Sequence, residues 1–98
     1  MLSFKNKAED YYSYNFMEKE IGRITHWYDK IGVAVVDLKG ALKIGDLIKV
    51  KKGNEEFEDS VVSMQIDHKS VSSAKNGDEV ALKLSQKAKE GAVICKVD

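Results

Sequence analysis

Short apolar runs alternate with polar, glycine-containing connections from residue 21 to the end of the sequence. The runs are about five to ten residues long and rich in β-branched side chains, which is typical of strands. The pattern therefore predicts six strands and no long helix. The predicted strands are residues 21–27, 33–38, 46–50, 57–66, 79–84 and 92–97.

Two predicted strands show the alternation expected of a sheet with one buried face. The positions assigned to the core are Val80, Leu82 and Leu84 in the fifth strand and Val93, Cys95 and Val97 in the sixth. Residues 33–38 are almost wholly apolar instead. That run predicts a central strand covered on both faces.

Glycines lie between the predicted strands, where turns need a positive φ that other residues resist. The dipeptide Asn76-Gly77 is the strongest hairpin-type signal. Six short strands in a small chain predict an all-β fold, a small closed six-stranded antiparallel β-barrel, because closure removes unpaired sheet edges. A six-stranded open sandwich is the alternative.

Residues 1–20 follow a different pattern, in which charged side chains surround aromatic ones without alternation or a helical stripe. We therefore expect residues 1–20 to be a flexible, disordered N-terminal extension and residues 21–98 to be the β-barrel domain. Residues 1–16 are expected to be dispensable for folding.

The composition is that of one ordinary globular domain, with 98 residues, 43% hydrophobic and 33% charged. Sixteen basic residues balance 16 acidic ones, so any RNA contact has to be local. One cysteine and two histidines form neither an internal disulfide nor a zinc pattern, which predicts a cytoplasmic protein without metal or cofactor. Apolar runs are too short for a membrane span or a signal peptide, so no membrane contact is expected.

Several motifs follow one another in a fixed order. Residues 40–46 read GALKIGD, in which Leu42 can plug a barrel end and Asp46 can cap the outgoing turn. Residues 21–24 (IGRI) and 32–36 (GVAVV) precede this turn, and residues 61–80 (VVSMQIDHKSVSSAKNGDEV) follow it.

This succession resembles the second, β-barrel domain of the translation elongation GTPases over about residues 21–98, as a stand-alone translation elongation factor-like protein. The chain is also similar to the C-terminal barrel of collagenase-like peptidases. Two positions depart from the translation-factor pattern: Gln65 replaces a glutamate that helps hold the aminoacyl end of tRNA, and Asp67 replaces a histidine.

Sequence motifs for catalysis are missing. The phosphate-binding motif GxxxxGK[ST] is absent, which predicts that the chain neither binds nor hydrolyses GTP. Neither a GxSxG nor an HExxH motif occurs. We therefore expect a protein that is not an enzyme.

Aromatic, basic and hydrogen-bonding side chains concentrate where the first predicted strand ends, a mixture suited to stacking and to phosphate contact. The resemblance places a second polar loop beside this one, and together they form the predicted binding rim. The candidate partner-binding residues are His26, Trp27, Tyr28, Lys30, Gln65, His68 and Lys69. In the structural alternative, Trp27 and Tyr28 close the barrel end and His68 braces its turn.

Two further features have structural interpretations. The acidic run Glu55 to Asp59 follows the basic run Lys49 to Lys52, which is typical of a solvated hairpin face. Cys95 is predicted to be a small core residue.

Two functions fit the sequence. The first is a non-catalytic binding module that contacts tRNA, the ribosome or a translation-associated protein through the rim. The second is a protein–protein adaptor or accessory barrel that docks on an enzyme such as a collagenase-like peptidase. The motif succession favours the first, and the neutral charge favours the second.

Overall fold

A computed structural model describes residues 18–97, and strands are the only regular elements in that range. They are β1 (Glu18–Tyr28), β2 (Val33–Leu38), β3 (Leu42–Lys43), β4 (Leu47–Lys52), β5 (Glu55–Ser60), β6 (Met64–Ile66), β7 (Lys69–Ser70), β8 (Ser73–Ala74), β9 (Glu79–Lys83) and β10 (Val93–Val97). Within these residues no helix is long and apolar enough to cross a membrane. The prediction of an all-β fold is confirmed.

Eight strands form one antiparallel sheet in the order β5-β4-β10-β1-β2-β9-β6-β7, and β3 pairs with β8 in a separate ribbon. The predicted strand at residues 33–38 has the bounds of β2 and lies inside the sheet, as expected. The prediction of a closed six-stranded barrel is wrong, because in the described residues the sheet is open, with β5 and β7 at its edges.

The open sheet nevertheless curls around a single core. Ile48 of β4, near one edge, and Met64 of β6, near the other, belong to the same hydrophobic cluster. The gap between β5 and β6 is spanned by their own connection, residues 61–63, which divides the predicted strand 57–66 in two. Residues 61–63 belong to no strand, so the backbone ladder is open there.

The core consists of aliphatic side chains that are almost fully excluded from solvent. Burying one such side chain stabilises the fold by about 1.5–3 kcal/mol relative to leaving it exposed. The buried cluster contains Ile21, Ile24, Ala34, Val36, Leu38, Leu42, Ile48, Val50, Val61, Met64, Ala74, Val80, Leu82, Leu84, Ala88, Ala92 and Ile94. The core positions predicted in the fifth strand are therefore confirmed.

Two sequence predictions about strand faces are wrong. Strand β2 is covered on one face only, since its buried positions alternate with half-buried valines and the exposed Asp37. In β10 it is Ile94 that joins the core, and Cys95 is buried outside the core cluster, opposite Lys49. The inner face of β10 ends in Lys96, whose Nζ lies 3.3 Å from the Asp46 carboxylate, and this ion pair lets a charged residue occupy an inward position.

Two turns with the pattern K-x-G-D have the same arrangement of hydrogen bonds. The Lys43 N–H donates to Asp46 Oδ2 at 3.0 Å, and the Asp46 N–H donates to the Lys43 carbonyl at 3.1 Å. The same two bonds join Lys75 and Asp78, both at 3.0 Å. The third position of each turn is a glycine with positive φ: Gly45 at 94° and Gly77 at 96°. The predicted capping role of Asp46 is confirmed, whereas Asn76-Gly77 forms a turn between strands that are not sheet neighbours.

The basic and acidic runs form the β4–β5 hairpin, as predicted, with Lys51 opposite Glu56 and Lys52 opposite Glu55. The Glu18 carboxylate lies 2.7 Å from Lys49 Nζ and also accepts a hydrogen bond from Lys51 Nζ. These two ammonium groups hold the pKa of Glu18 below its usual value.

Within residues 18–97 the first strand begins at Glu18, three residues before the predicted domain boundary at residue 21. The rest of the predicted extension, residues 1–17, lies outside the described part of the chain. The expectation that residues 1–16 are dispensable stays a prediction.

Candidate functional site

The sheet register brings parts of the two predicted loops onto one outer face. His26 of β1 lies opposite Val35 of β2, and Val35 lies opposite Ala81 of β9. Ala81 in turn lies opposite Gln65 of β6. Because side chains directly opposite one another share a face, one row of four residues crosses four strands.

A second row runs parallel to the first, two residues along each strand. It contains Tyr28 of β1, Val33 of β2 and Lys83 of β9. Adjacent strands are about 4.8 Å apart, so Tyr28 and Lys83 flank a strip about 10 Å wide. Apart from His26, the residues of these two rows line a surface groove.

This outer-face groove has a volume of about 590 Å³. Its apolar lining consists of Tyr28, Ile31, Val33, Val35 and Ala81. Its polar lining consists of Ser63, Gln65, His68 and Lys83. Tyr28 is 49% exposed and Ile31 is 56% exposed, so two large apolar side chains meet solvent here.

A β-bulge in β1 decides which side chains reach the groove. Ile24 lies opposite the buried Val36, but the register then shifts, and His26 rather than Thr25 follows on the partner strand. The extra residue reverses the alternation, as bulges do. Trp27 consequently lies opposite Ala34 and packs against the core.

Trp27 is therefore separated from the two residues predicted to act with it. Its indole Nε1 donates a hydrogen bond to Asp29 Oδ1 at 3.1 Å, which fixes the ring at the end of the core. This position matches the structural alternative for Trp27, and of the predicted aromatic pair only Tyr28 lies on the outer face, beside His26.

His26 stands beside the groove and packs against one of its walls. Its ring centroid lies 4.3 Å from that of Tyr28, with an angle of 61° between the planes. The His26 Nδ1 atom lies 3.0 Å from Glu90 Oε2, and the backbone N–H of Trp27 donates a hydrogen bond to the same oxygen at 3.4 Å. Glu90 thereby positions the His26 ring, which packs against the Tyr28 ring.

The second predicted loop is a two-residue hairpin between β6 and β7. Asp67 and His68 have φ values of 52° and 66°, so both central residues adopt the left-handed conformation. Such turns match the strand twist but normally contain Asn, Asp or Gly, and a strained non-glycine residue costs about 1–3 kcal/mol. The turn places His68 at the groove, whereas Lys69 lies opposite the core-packed Ile66, on the other face from Gln65.

The structure thus brings together Tyr28, Gln65 and His68, with His26 behind them. Lys30 is exposed in the turn after β1 and, like Trp27 and Lys69, is not among the residues that line the groove. Ile31, Lys83 and the outer valines of β2 were not predicted from the sequence. The sequence offered one signal for this groove, the valines at alternate positions 33 and 35. They were predicted to be buried, so their exposure on the outer face was not expected.

The charge of the groove has one sign. Its lining contains a lysine and a histidine but no carboxylate. Lys83 Nζ donates a hydrogen bond to the Ile31 carbonyl, so the ammonium group is fixed at the edge of the apolar floor. An ammonium has three donors, so hydrogen-bonding capacity remains for a ligand.

No protein-family model matches the sequence. The chain is 45% identical over 73 residues to an uncharacterized protease of Methanocaldococcus jannaschii. This match covers 74% of the chain and 18% of the protease, so the chain spans less than a fifth of the length of this curated relative.

Two crystal structures of the C-terminal domain of a Geobacillus thermoleovorans protein named as a U32 peptidase resemble this chain. Their TM-scores are 0.73 and 0.76 at 14% and 15% identity. The matches cover 78% and 81% of this chain and 96% and 92% of the solved domains. These findings support the predicted similarity to peptidase-associated barrels, while the resemblance to translation factors stays a prediction. The chain has the fold of a peptidase C-terminal domain.

Proposed function

We propose that this chain is a non-catalytic accessory module of a U32-type peptidase that docks on the catalytic part through its outer-face groove. The observation that carries the proposal is the fold match, which takes in almost all of the solved C-terminal domain. The relative named as a protease supports it, since the matching segment leaves 82% of that protein to supply the peptidase chemistry (100% less the 18% covered).

The chemistry of the described residues supports a non-catalytic role. Burial raises the pKa of the Cys95 thiol, which disfavours the reactive thiolate. The His26–Glu90 pair is half exposed on both sides, at 50% and 56% of the side-chain surface. The Glu90 carboxylate also accepts a hydrogen bond from the backbone N–H of Trp27, and the His26 imidazole packs on Tyr28. Both groups therefore contribute to the packing of β1.

The test is a titration of this chain with the M. jannaschii protease from which the matching 73-residue segment has been removed. Two domains of one polypeptide meet at an effective concentration of about 1 mM, so contact between separate chains can be weak and still sufficient. Nuclear magnetic resonance (NMR) of the isotope-labelled chain detects binding in this range. We expect saturable shifts of outer-face signals, and none with an unrelated acidic protein of similar size.

The predicted role in translation is examined by the same titration with tRNA. Shifts caused by tRNA, with none caused by the truncated protease up to about 1 mM, would replace the accessory-module proposal by the RNA-binding one. Shifts caused by the protease alone support docking.

A further inference from the structure

We infer that the outer-face groove binds a segment of a partner polypeptide in which a large apolar side chain stands next to a carboxylate. This inference rests on the proposed docking function and names the chemistry of the docked segment. It follows from the shape, exposure and charge of the groove.

The apolar part of the occupant is indicated by the floor of the groove. Tyr28 and Ile31 are among the few large apolar side chains that are more than 40% exposed in residues 18–97, and both line this one depression together with Val33 and Val35. Contiguous exposed apolar surface of this kind marks interaction sites. A volume of about 590 Å³ exceeds that of any single side chain and suits a short peptide segment.

The carboxylate is indicated by the edge of the groove. Lys83 and His68 are its only ionisable lining residues besides the Tyr28 phenol, and both carry or can gain positive charge. Among residues 18–97, no carboxylate lies within ion-pair distance of Lys83, whose Nζ is held by a neutral carbonyl instead. A partner carboxylate would therefore complete an ion pair that this part of the chain leaves open.

The groove is preformed, which favours a ligand that is complementary to its existing shape. Its floor comes from four neighbouring, hydrogen-bonded strands, and its His68 side is set by a turn that holds two residues at positive φ. A preformed site loses little entropy on binding.

A second depression shows what sets the groove apart. It has a volume of about 510 Å³ and includes Ile44, Val62 and Val71 together with serines, but no charged residue. It also contains exposed apolar side chains, but it lacks the charge that selects a carboxylate. Val62, which is 66% exposed, therefore provides a matched control position.

The experiment selects binders from a displayed random library of ten-residue peptides, with the 98-residue chain as bait. We expect the enriched peptides to place Asp or Glu next to Leu, Ile, Phe or Trp. Lys83→Glu should exchange this preference for Lys or Arg, and Tyr28→Ser should weaken the enriched peptides by about tenfold or more. Val62→Ser should leave them unchanged, and thermal unfolding of each variant verifies its fold.

Three results would overturn the inference. One is a set of enriched peptides without an excess of acidic residues, and another is equal binding of acidic peptides to the Lys83→Glu variant. The third is tighter peptide binding after deletion of residues 1–16, which would make that segment of the same chain the occupant. Peptide selection needs only this chain. If acidic peptides are enriched but the truncated protease does not bind, the accessory-module proposal is wrong and the inference about the groove stands. If the Lys83→Glu variant still binds the truncated protease as tightly as the parent chain, the accessory-module proposal stands and the groove is not the docking surface.

Discussion

The carboxylate of Asp59 accepts two hydrogen bonds from Ser85, one from the backbone N–H at 2.7 Å and one from the hydroxyl at 2.9 Å. Asp59 belongs to the edge strand β5, and Ser85 follows β9 on the far side of the gap in the curled sheet. The Asp59 side chain thus joins two parts of the sheet that do not pair directly with each other. It acts as the clasp of an open barrel.

Removing the clasp should destabilise the domain. Asp59→Ala leaves the Ser85 N–H without its acceptor, so we expect a loss of about 1–2 kcal/mol in the free energy of unfolding. Ser85→Ala should cost less, and a double-mutant cycle measured by urea unfolding should give a coupling of at least about 0.5 kcal/mol. Glu58→Ala, on the same strand, is the control. Strictly additive single-variant effects would contradict the clasp.

Gly22 of β1 leaves no room for a side chain against β2. A Cβ atom at this position would lie 2.8 Å from Val36 Cγ1 and 3.0 Å from the Asp37 carbonyl oxygen. Because neither the core valine nor the backbone can retreat freely, Gly22→Ala should lower stability by about 1–3 kcal/mol. The exposed Ser72→Ala variant serves as the control in thermal unfolding. An unchanged melting temperature for Gly22→Ala would show that the two strands are farther apart than described.

The ion pairs of Glu18 predict a pH dependence. Its folded-state pKa lies below the unfolded value of 4.5, so its contribution is present above pH 4.5 and lost as the pH falls through the folded-state pKa. Glu18→Gln should therefore cost about 1 kcal/mol at pH 7, a modest value because the pair is partly solvated, and progressively less towards pH 3. Urea unfolding at pH 7, 5 and 3 measures this difference. A difference that stays constant over that range would rule out the Glu18 carboxylate as its source, and Glu58→Gln is the control.

Trp27 and Tyr28 are neighbours in sequence with opposite roles. Trp27 packs against the core, so Trp27→Ala should destabilise the fold by about 3 kcal/mol. Tyr28 is 49% exposed, and Tyr28→Ala should cost at most about 1 kcal/mol while weakening partner binding. Thermal unfolding and the NMR titration separate the two effects. A Trp27→Ala variant that stays fully stable would place the indole outside the core.

The location of most strands could be predicted from the sequence, because apolar β-branched runs and glycine turns are local signals. The phase of the strands was harder to predict. The bulge at Thr25 leaves no mark in the sequence IGRITHWY, yet it reverses which side of the sheet Trp27 and Tyr28 face. Barrel closure was equally invisible, since it depends on how residues 61–63 cross the gap.

The candidate site shows the same division. Tyr28, Gln65 and His68 were identified from their chemistry and from the family resemblance. Lys83 and Ile31 were not, because they reach the groove only through the pairing of β9 with β2 and through the turn that follows β1. Non-local register is the information that a single sequence does not display.

Docking of the groove on a peptidase catalytic part is tested by a methyl NMR spectrum of a chimera. In the chimera this chain replaces the matching segment of the M. jannaschii protease. We predict that the methyl signals of Ile31, Val33, Val35 and Ala81 shift relative to the isolated chain, while those of Ile44 and Val62 stay in place. Unshifted groove methyls, or shifts confined to Ile44 and Val62, would show that the groove does not dock on the catalytic part.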